Sequence, residues 1–205
     1  MREAVLTLLA LDQHGASFQC FAPDADQHYV LDHASGRVEE GERRNILAES
    51  SRIARRGQCL DLAGADPAAF DALLLPGGSG VAKNLCAYAF DGAKAAVRPD
   101  VAAFLRAFFE ARKPVGAICI APALVALVLA GMGRSAALTL GRDGAEAADM
   151  AALGMRFQAV ASPREIVVDP EARLATTAAY MFGEARLSEV WIGIDRCVEA
   201  VLRMI

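Results

Sequence analysis

The sequence predicts an α/β fold with a mostly parallel sheet covered on both faces, and three observations carry that prediction. Short apolar runs of strand length alternate with helical stretches along the chain. Those runs are apolar throughout, as strands buried on both faces must be, instead of alternating with polar residues. Two conspicuous turns, one rich in glycine and one holding a cysteine, fall at strand ends, where open parallel sheets place their ligand crevices. The 205 residues suit one domain, 1–205, and no internal repeat, low-complexity tract or linker divides them.

The elements follow in order. Residues 3–14 carry a helical period and Gly15 supplies a stop. Residues 17–22 alternate as a strand. Residues 29–31 and 36–39 read as a small ribbon about the turn 32–36. Residues 45–55 are amphipathic and helical. A buried strand at 71–75 runs into Pro76-Gly77-Gly78. A helix is expected over 101–112, an apolar strand over 115–118 and an apolar helix over 121–130. A strand at 137–140, a helix at 144–153 and a hairpin from 165–168 and 173–176 come next. A long helix, continuous or broken, closes the chain over 178–204. One feature sits badly with this architecture. The chain opens on a helix that a central strand should feed, so the first strand is expected to be missing, through a truncated or misassigned start.

Composition narrows the function. With Lys and Arg at 21 and Asp and Glu at 25, the net charge of −4 argues against a nucleic-acid surface. No apolar run reaches the ~18–20 residues that span a bilayer, so no membrane role is expected. Residues 4–11 read as a buried helix and not as a secretory segment, since no small-residue cleavage site follows. The five cysteines are scattered and odd in number, which points to a reducing, cytoplasmic location.

The chemistry concentrates at Cys119. A buried strand ends at Ile118 and a helix starts near Ala121, with Pro122 in the turn where a missing N–H costs nothing. Cys119 thus occupies a one-residue elbow of the strand–nucleophile–helix kind. The helix N-terminus offers unpaired amides and partial positive charge, which are expected to lower the thiol pKa. The Ile120 N–H can face a developing oxyanion. The competing reading is a buried, inert cysteine at a strand end. The loop Leu75-Pro76-Gly77-Gly78-Ser79-Gly80 has neither dinucleotide nor P-loop spacing. It makes better sense as the second half of an oxyanion hole facing Cys119.

With both loops in view, the sequence resembles the PfpI-type, class I glutamine-amidotransferase-like superfamily, and more narrowly the ElbB family of glyoxalase-like proteins linked to lycopene biosynthesis. The matching stretches are EAVLTLLALD (3–12), CFAPD (20–24), LPGGSGVAKNL (75–85), GAICIAPA (116–123), IVVD (166–169), TTAAYM (176–181) and GID (193–195). The resemblance implies a flavodoxin-like three-layer sandwich with Cys119 as nucleophile. It also implies the backbone amides of Gly78 and Ile120 as the oxyanion hole. The activity it implies is a cofactor-independent conversion of 2-oxoaldehydes to hydroxy acids, methylglyoxal to lactate for example. It implies a small aldehyde substrate, no cofactor and a homodimer. In the family a catalytic glutamate is expected about three residues before Glu3, where this chain has none, and Glu3 is matched to a different position. Ser79 replaces a usual aromatic residue and Ala178 a usual proline.

Gly77, Ser79, Asn84 and Thr177 are candidate pocket residues. Asn84 could equally serve a helix start and Thr177 a strand. His28 and His33 with nearby aspartates match no metal pattern, and no metal is expected. Cys197, Trp191 and Met181 read as core or contact residues. The alternative to an enzyme is a non-catalytic thiol sensor or interaction protein, motivated by the absent glutamate segment. An amidotransferase is disfavoured, because the elbow lacks a Gly-x-Cys-x-Gly form.

Overall fold

The computed structural model describes residues 1–55 and 57–205. In chain order the elements are α1 (Arg2–Gln13), β1 (Cys20–Ala22), α2 (Ile46–Ala54), β2 (Cys59–Asp61), β3 (Leu73–Leu75), α3 (Tyr88–Asp91), α4 (Pro99–Glu110), β4 (Val115–Ile118), α5 (Ala121–Gly131), β5 (Ala137–Leu138), α6 (Ala145–Ala152), β6 (Arg156–Phe157), β7 (Ile166–Asp169), β8 (Leu174–Thr177) and α7 (Leu187–Leu202). They fall into two compact units, one comprising Met1–Ser17 with Pro67–Ile205 and the other Phe18–Asp66.

The larger unit is organised by a four-stranded sheet ordered β3-β4-β8-β7. β3, β4 and β8 run parallel, with Leu75 beside Ala117 and Ile118 beside Thr177, and β7 returns antiparallel from β8. All four residues of β4 and of β8 are buried, as strands covered on both faces are, with Thr176 and Thr177 of β8 included. α5 is apolar on nearly every side and correspondingly buried, packing on β4 and α4. α7 covers β4 and β8, and α1 packs on α7. Gly116 is needed there, since a Cβ on it would stand 2.8 Å from Val201 of α7 and 2.4 Å from Leu74. Ile118 joins Ile194, Val198 and Val201 of α7 in the core, with Ala10 and Leu11 of α1.

β5 and β6 form a separate parallel pair, held to the main sheet through side chains. Asp169, only 4% exposed, accepts from the Ala137 amide at 2.7 Å, the Ala172 amide at 2.9 Å and Arg156 Nη2 at 2.6 Å. The Thr139 amide donates to Thr176 Oγ1 at 3.0 Å. These bonds satisfy backbone groups that the short pair leaves open.

The smaller unit is a strand–helix–strand arrangement in which β1 and β2 pair in parallel and α2 packs on both. Asn45 caps α2, its Oδ1 accepting from the Ala48 amide at 2.9 Å. The expected ribbon is present only as a single bridge between Leu31 and Val38. The expected closing helix over 178–204 is instead a tight turn at Ala179–Met181 followed, after Gly183, by α7. Phe182 breaks the run by leaving the helical path to pack with Ala137, Val160 and Val167.

Burial works to raise the Asp169 carboxyl, but the Ala172 and Ala137 amides and the Arg156 charge outweigh it and hold it below 3.8. Its contribution is therefore complete above that value and lost as pH falls through the folded-state value. Asp169→Asn is expected to cost about 2–3 kcal/mol in urea unfolding at pH 7. The difference from wild type should shrink as the pH is lowered below about 4.

Candidate active site

β4 delivers the chain into a sharp turn. Cys119 follows Ile118 with φ of +62°, and α5 begins two residues later with Pro122 in its first turn. Left-handed backbone costs a non-glycine residue about 1–2 kcal/mol, so something must hold it. The Cys119 amide donates to the Thr177 carbonyl of β8 at 2.9 Å. From the other side, Gly77 presses on the turn. A Cβ at Gly77 would stand 2.1 Å from the Ile118 carbonyl oxygen and 2.7 Å from Cys119 Cβ. Gly78 then takes φ of +106°, a conformation that glycine adopts without strain.

The Gly78 and Ile120 amides both hydrogen-bond the Cys119 sulfur. They pull the thiol pKa down, as the sequence led one to expect, but they do not win. Burial first, and the negative charge of Glu3 second, push the Cys119 thiol up to about 12. The expected lowering by the helix N-terminus is thus overturned in the resting site. Cys197, by contrast, is pushed up to about 12 chiefly by burial, without a carboxyl neighbour. Burial alone does not distinguish the two cysteines; the amides and Glu3 do.

Glu3 is the residue the sequence reading passed over. It sits in the first turn of α1, is 6% exposed, and its carboxyl lies close enough to act on the Cys119 thiol. A Cβ on Gly78 would lie 3.8 Å from Glu3 Oε2, so the carboxyl stands beside the glycine loop as well as the thiol. The expectation that no acid accompanies Cys119 is therefore corrected. Periodicity offers no signal for it: Glu3, Thr7, Ala10 and Leu11 form the buried face of α1, while the apolar Val5 and Leu9 are exposed. A carboxylate on a buried helix face is costly and calls for a purpose. Thr7 Oγ1 donates to the Glu3 carbonyl at 2.7 Å and secures that first turn.

A cavity of about 430 Å³ opens on Cys119, lined also by Gly78, Ser79, Ile120 and Met181. Gly77 lies beneath the turn instead of on the lining. Asn84 stands beside Gly80 and off the cavity wall. Thr177 is fully buried, its hydroxyl donating to the Glu165 carbonyl at 3.2 Å and its own carbonyl holding Cys119. Its role is in the framework of the turn. Among the described residues no group of three or more His, Cys, Asp or Glu side chains converges as a metal site would.

A cysteine elbow at the end of a parallel strand, faced by a glycine loop, defines a class I glutamine-amidotransferase-like protein of flavodoxin-like fold. The chain belongs to the DJ-1/PfpI family, whose pattern matches residues 58–179. It is 40% identical over 213 residues to the human glutamine amidotransferase-like class 1 domain-containing protein 3, mitochondrial, an alignment covering 100% of this chain and 77% of that protein. The isoprenoid biosynthesis protein with amidotransferase-like domain from Ehrlichia chaffeensis superposes with a TM-score of 0.90 at 36% identity, covering 99% of this chain and 90% of that one. Glyoxalase III from Candida albicans shares the fold, with a TM-score of 0.60 at 13% identity over 100% of this chain and 87% of its own. The human, rat and zebrafish relatives are all named as mitochondrial, which overturns the expected cytoplasmic location. No helix among the described residues is long and apolar enough to cross a membrane.

Gly77→Ala is expected to lose about 2–3 kcal/mol of stability, because the clash is with backbone that cannot move aside. Thermal unfolding would check it, with Gly183→Ala, an exposed site with open space and no left-handed backbone, as the control for glycine replacement. A second expectation concerns titration. Because the charge of Glu3 raises the thiol pKa, Glu3→Gln should lower it. Iodoacetamide labelling of the Cys119 peptide should then be faster in the variant than in wild type at pH 8, and the rate–pH curve should shift to lower pH.

Proposed function

We propose that this protein is a cofactor-independent glyoxalase-type enzyme of the ElbB branch, acting on small reactive 2-oxoaldehydes with Cys119 as nucleophile and Glu3 as the proton-transfer group. The observation that carries the reading is the buried Glu3 carboxyl beside the glycine loop and a thiol that also faces two backbone amides. A thiol held protonated needs a base at hand when substrate arrives, and Glu3 is in place to serve.

The reaction balances as the addition of water to methylglyoxal. Glu3 takes the Cys119 proton as sulfur attacks the aldehyde carbon. The developing oxyanion is met by the Gly78 and Ile120 amides and then receives that proton, giving a hemithioacetal. Glu3 next moves the proton from the former aldehyde carbon to the neighbouring carbon, and the hemithioacetal hydroxyl proton passes to the neighbouring oxygen, which leaves a carbonyl next to sulfur. The product is a 2-hydroxy thioester. Water hydrolyses it, releasing lactate and restoring the thiol.

The non-catalytic alternative was motivated by a missing acid, and Glu3 beside the thiol removes that motive. A peroxide sensor also needs an accessible thiolate, whereas burial and the Glu3 charge both oppose ionisation of Cys119.

Purified protein should convert methylglyoxal to lactate with no added thiol or metal. Cys119→Ala should abolish turnover, and Glu3→Gln should lower kcat by about 10²–10⁴-fold. Equal lactate production by wild type and Cys119→Ala would overturn the proposal. Faster labelling of Cys119 together with lost turnover in Glu3→Gln would mark the carboxyl as a base, since a merely structural loss would not quicken the thiol.

A further inference from the structure

The wall of the Cys119 cavity carries a second set of groups that the thiol chemistry leaves unused. Glu146 and Asp149, three residues apart on α6, both line the cavity together with Tyr88 of α3. Asp149 is a built-in group. The Tyr88 hydroxyl donates to Asp149 Oδ2 at 2.8 Å, and Tyr88 is 8% exposed. The carboxylate rests over Gly92, where a Cβ would stand 3.0 Å from Oδ2, so an absent side chain at residue 92 leaves it room. The Glu146 charge also acts on the Tyr88 hydroxyl, and all three groups line the same cavity.

The balance of charge is one-sided. Among the described residues that line the cavity, no lysine or arginine answers these two acids. Arg142, three residues before α6, is engaged elsewhere, paired with Glu184 at 2.7 Å and stacked 4.5 Å above the Phe182 ring. Glu3 is a further carboxyl beside the thiol, but its charge is answered by the Met1 amino group at 3.5 Å, so the unanswered charge is that of Glu146 and Asp149. A concave site lined by one sign of charge focuses that potential on whatever enters it.

We infer that the Glu146–Asp149–Tyr88 wall determines specificity, and that the cavity takes a reactive carbonyl compound bearing an ammonium group while rejecting carboxylate- and phosphate-bearing analogues. This rests on the reading of Cys119 as the reacting group. Tyr88 occupies one acceptor position of Asp149, and a carboxylate offers about four, so an ammonium can share it. The two acids act on the substrate's distal charge, while Cys119 and Glu3 act on its carbonyl. A glutamine or asparagine on the wall would keep the hydrogen bonding and remove the charge.

The test probes the thiol directly and needs no turnover, so it stands apart from the glyoxalase assay. Intact protein is treated with three methanethiosulfonates, carrying a trimethylammonioethyl, a neutral methyl or a sulfonatoethyl group, and modification of the Cys119 peptide is followed by mass spectrometry. The ratio of cationic to anionic rates should exceed that of a small free thiol by about tenfold at low salt, and should fall as ionic strength rises to about 1 M, where the screening length is near 3 Å. Glu146→Gln with Asp149→Asn should cut the ratio at least about threefold, with the neutral reagent reporting an intact cavity by its unchanged rate. If the pair fails to fold, Glu146→Gln alone carries the same expectation at a smaller size. A ratio equal to that of the free thiol, or one that the substitutions leave unchanged, would overturn the inference even in an enzyme that consumes methylglyoxal. A protein without methylglyoxal turnover that still shows the charge preference would overturn the glyoxalase reading and keep this one.

Discussion

Everything at the site depends on how closely the Gly77 backbone approaches the Cys119 turn. A side chain at residue 77 would overlap the Ile118 carbonyl, so the two loops meet only because glycine stands there. Sheet register brings them to that meeting. Leu75 pairs with Ala117 and Ile118 with Thr177, so β3, β4 and β8 end at the same level despite their separation along the chain. Each strand end then supplies one component. β3 leads to the glycine that presses on the turn and to the amide of Gly78. β4 leads to the thiol. β8 supplies the carbonyl that fixes the left-handed residue. Strain at Cys119 is held by neighbours on both sides, as a residue in sparsely populated backbone space must be.

Electrostatically the site is a contest in which the resting outcome runs against reactivity. Two amides favour the thiolate, while burial and a carboxyl oppose it more strongly. This is a workable arrangement for a nucleophile that should be idle until needed. A permanently ionised buried thiol would be open to oxidation, and one with no base beside it would be inert like Cys197. Placing the base against the thiol raises the thiol pKa and at the same time shortens the path by which its proton leaves.

Much of this was legible in the sequence, for reasons that can be stated residue by residue. β4 and α5 read clearly because an apolar strand, a cysteine and a proline in the first helical turn permit few alternatives. β2 and β6 were invisible: three and two residues, with Asp61 and Arg156 among them, carry no periodicity, and their existence depends on partners elsewhere in the chain. The thiol pKa was misjudged because a helix N-terminus is a local feature that sequence displays, whereas desolvation and the Glu3 charge arise only from packing. For Glu3, the family resemblance points to a different position, and only its place on α1 brings it to the thiol. Its face of the helix, shared with Thr7, Ala10 and Leu11, is the less apolar one, so its burial comes from packing on α7 and not from periodicity. Exposed Val5 and Leu9 show the same lesson in reverse, since their side of α1 is the more apolar one yet faces outward.

The distribution of charge around the cavity finally constrains where negative charge could develop in the proposed reaction. Glu146 and Asp149 lie on the wall, Glu3 lies beside the thiol, and no basic side chain is among the described lining residues. An oxyanion formed near the acids of α6 would meet repulsion with nothing to offset it. Beside the sulfur, the Gly78 and Ile120 amides offer two donors that are already ordered, and ordered donors need no reorganisation as charge appears. The same carboxylates that repel an anion at the wall would therefore orient a substrate, carbonyl inward and cationic end outward, before any bond changes. Orientation and oxyanion stabilisation thus fall to different groups of one cavity, the acids of α6 on its wall and the amides at the sulfur.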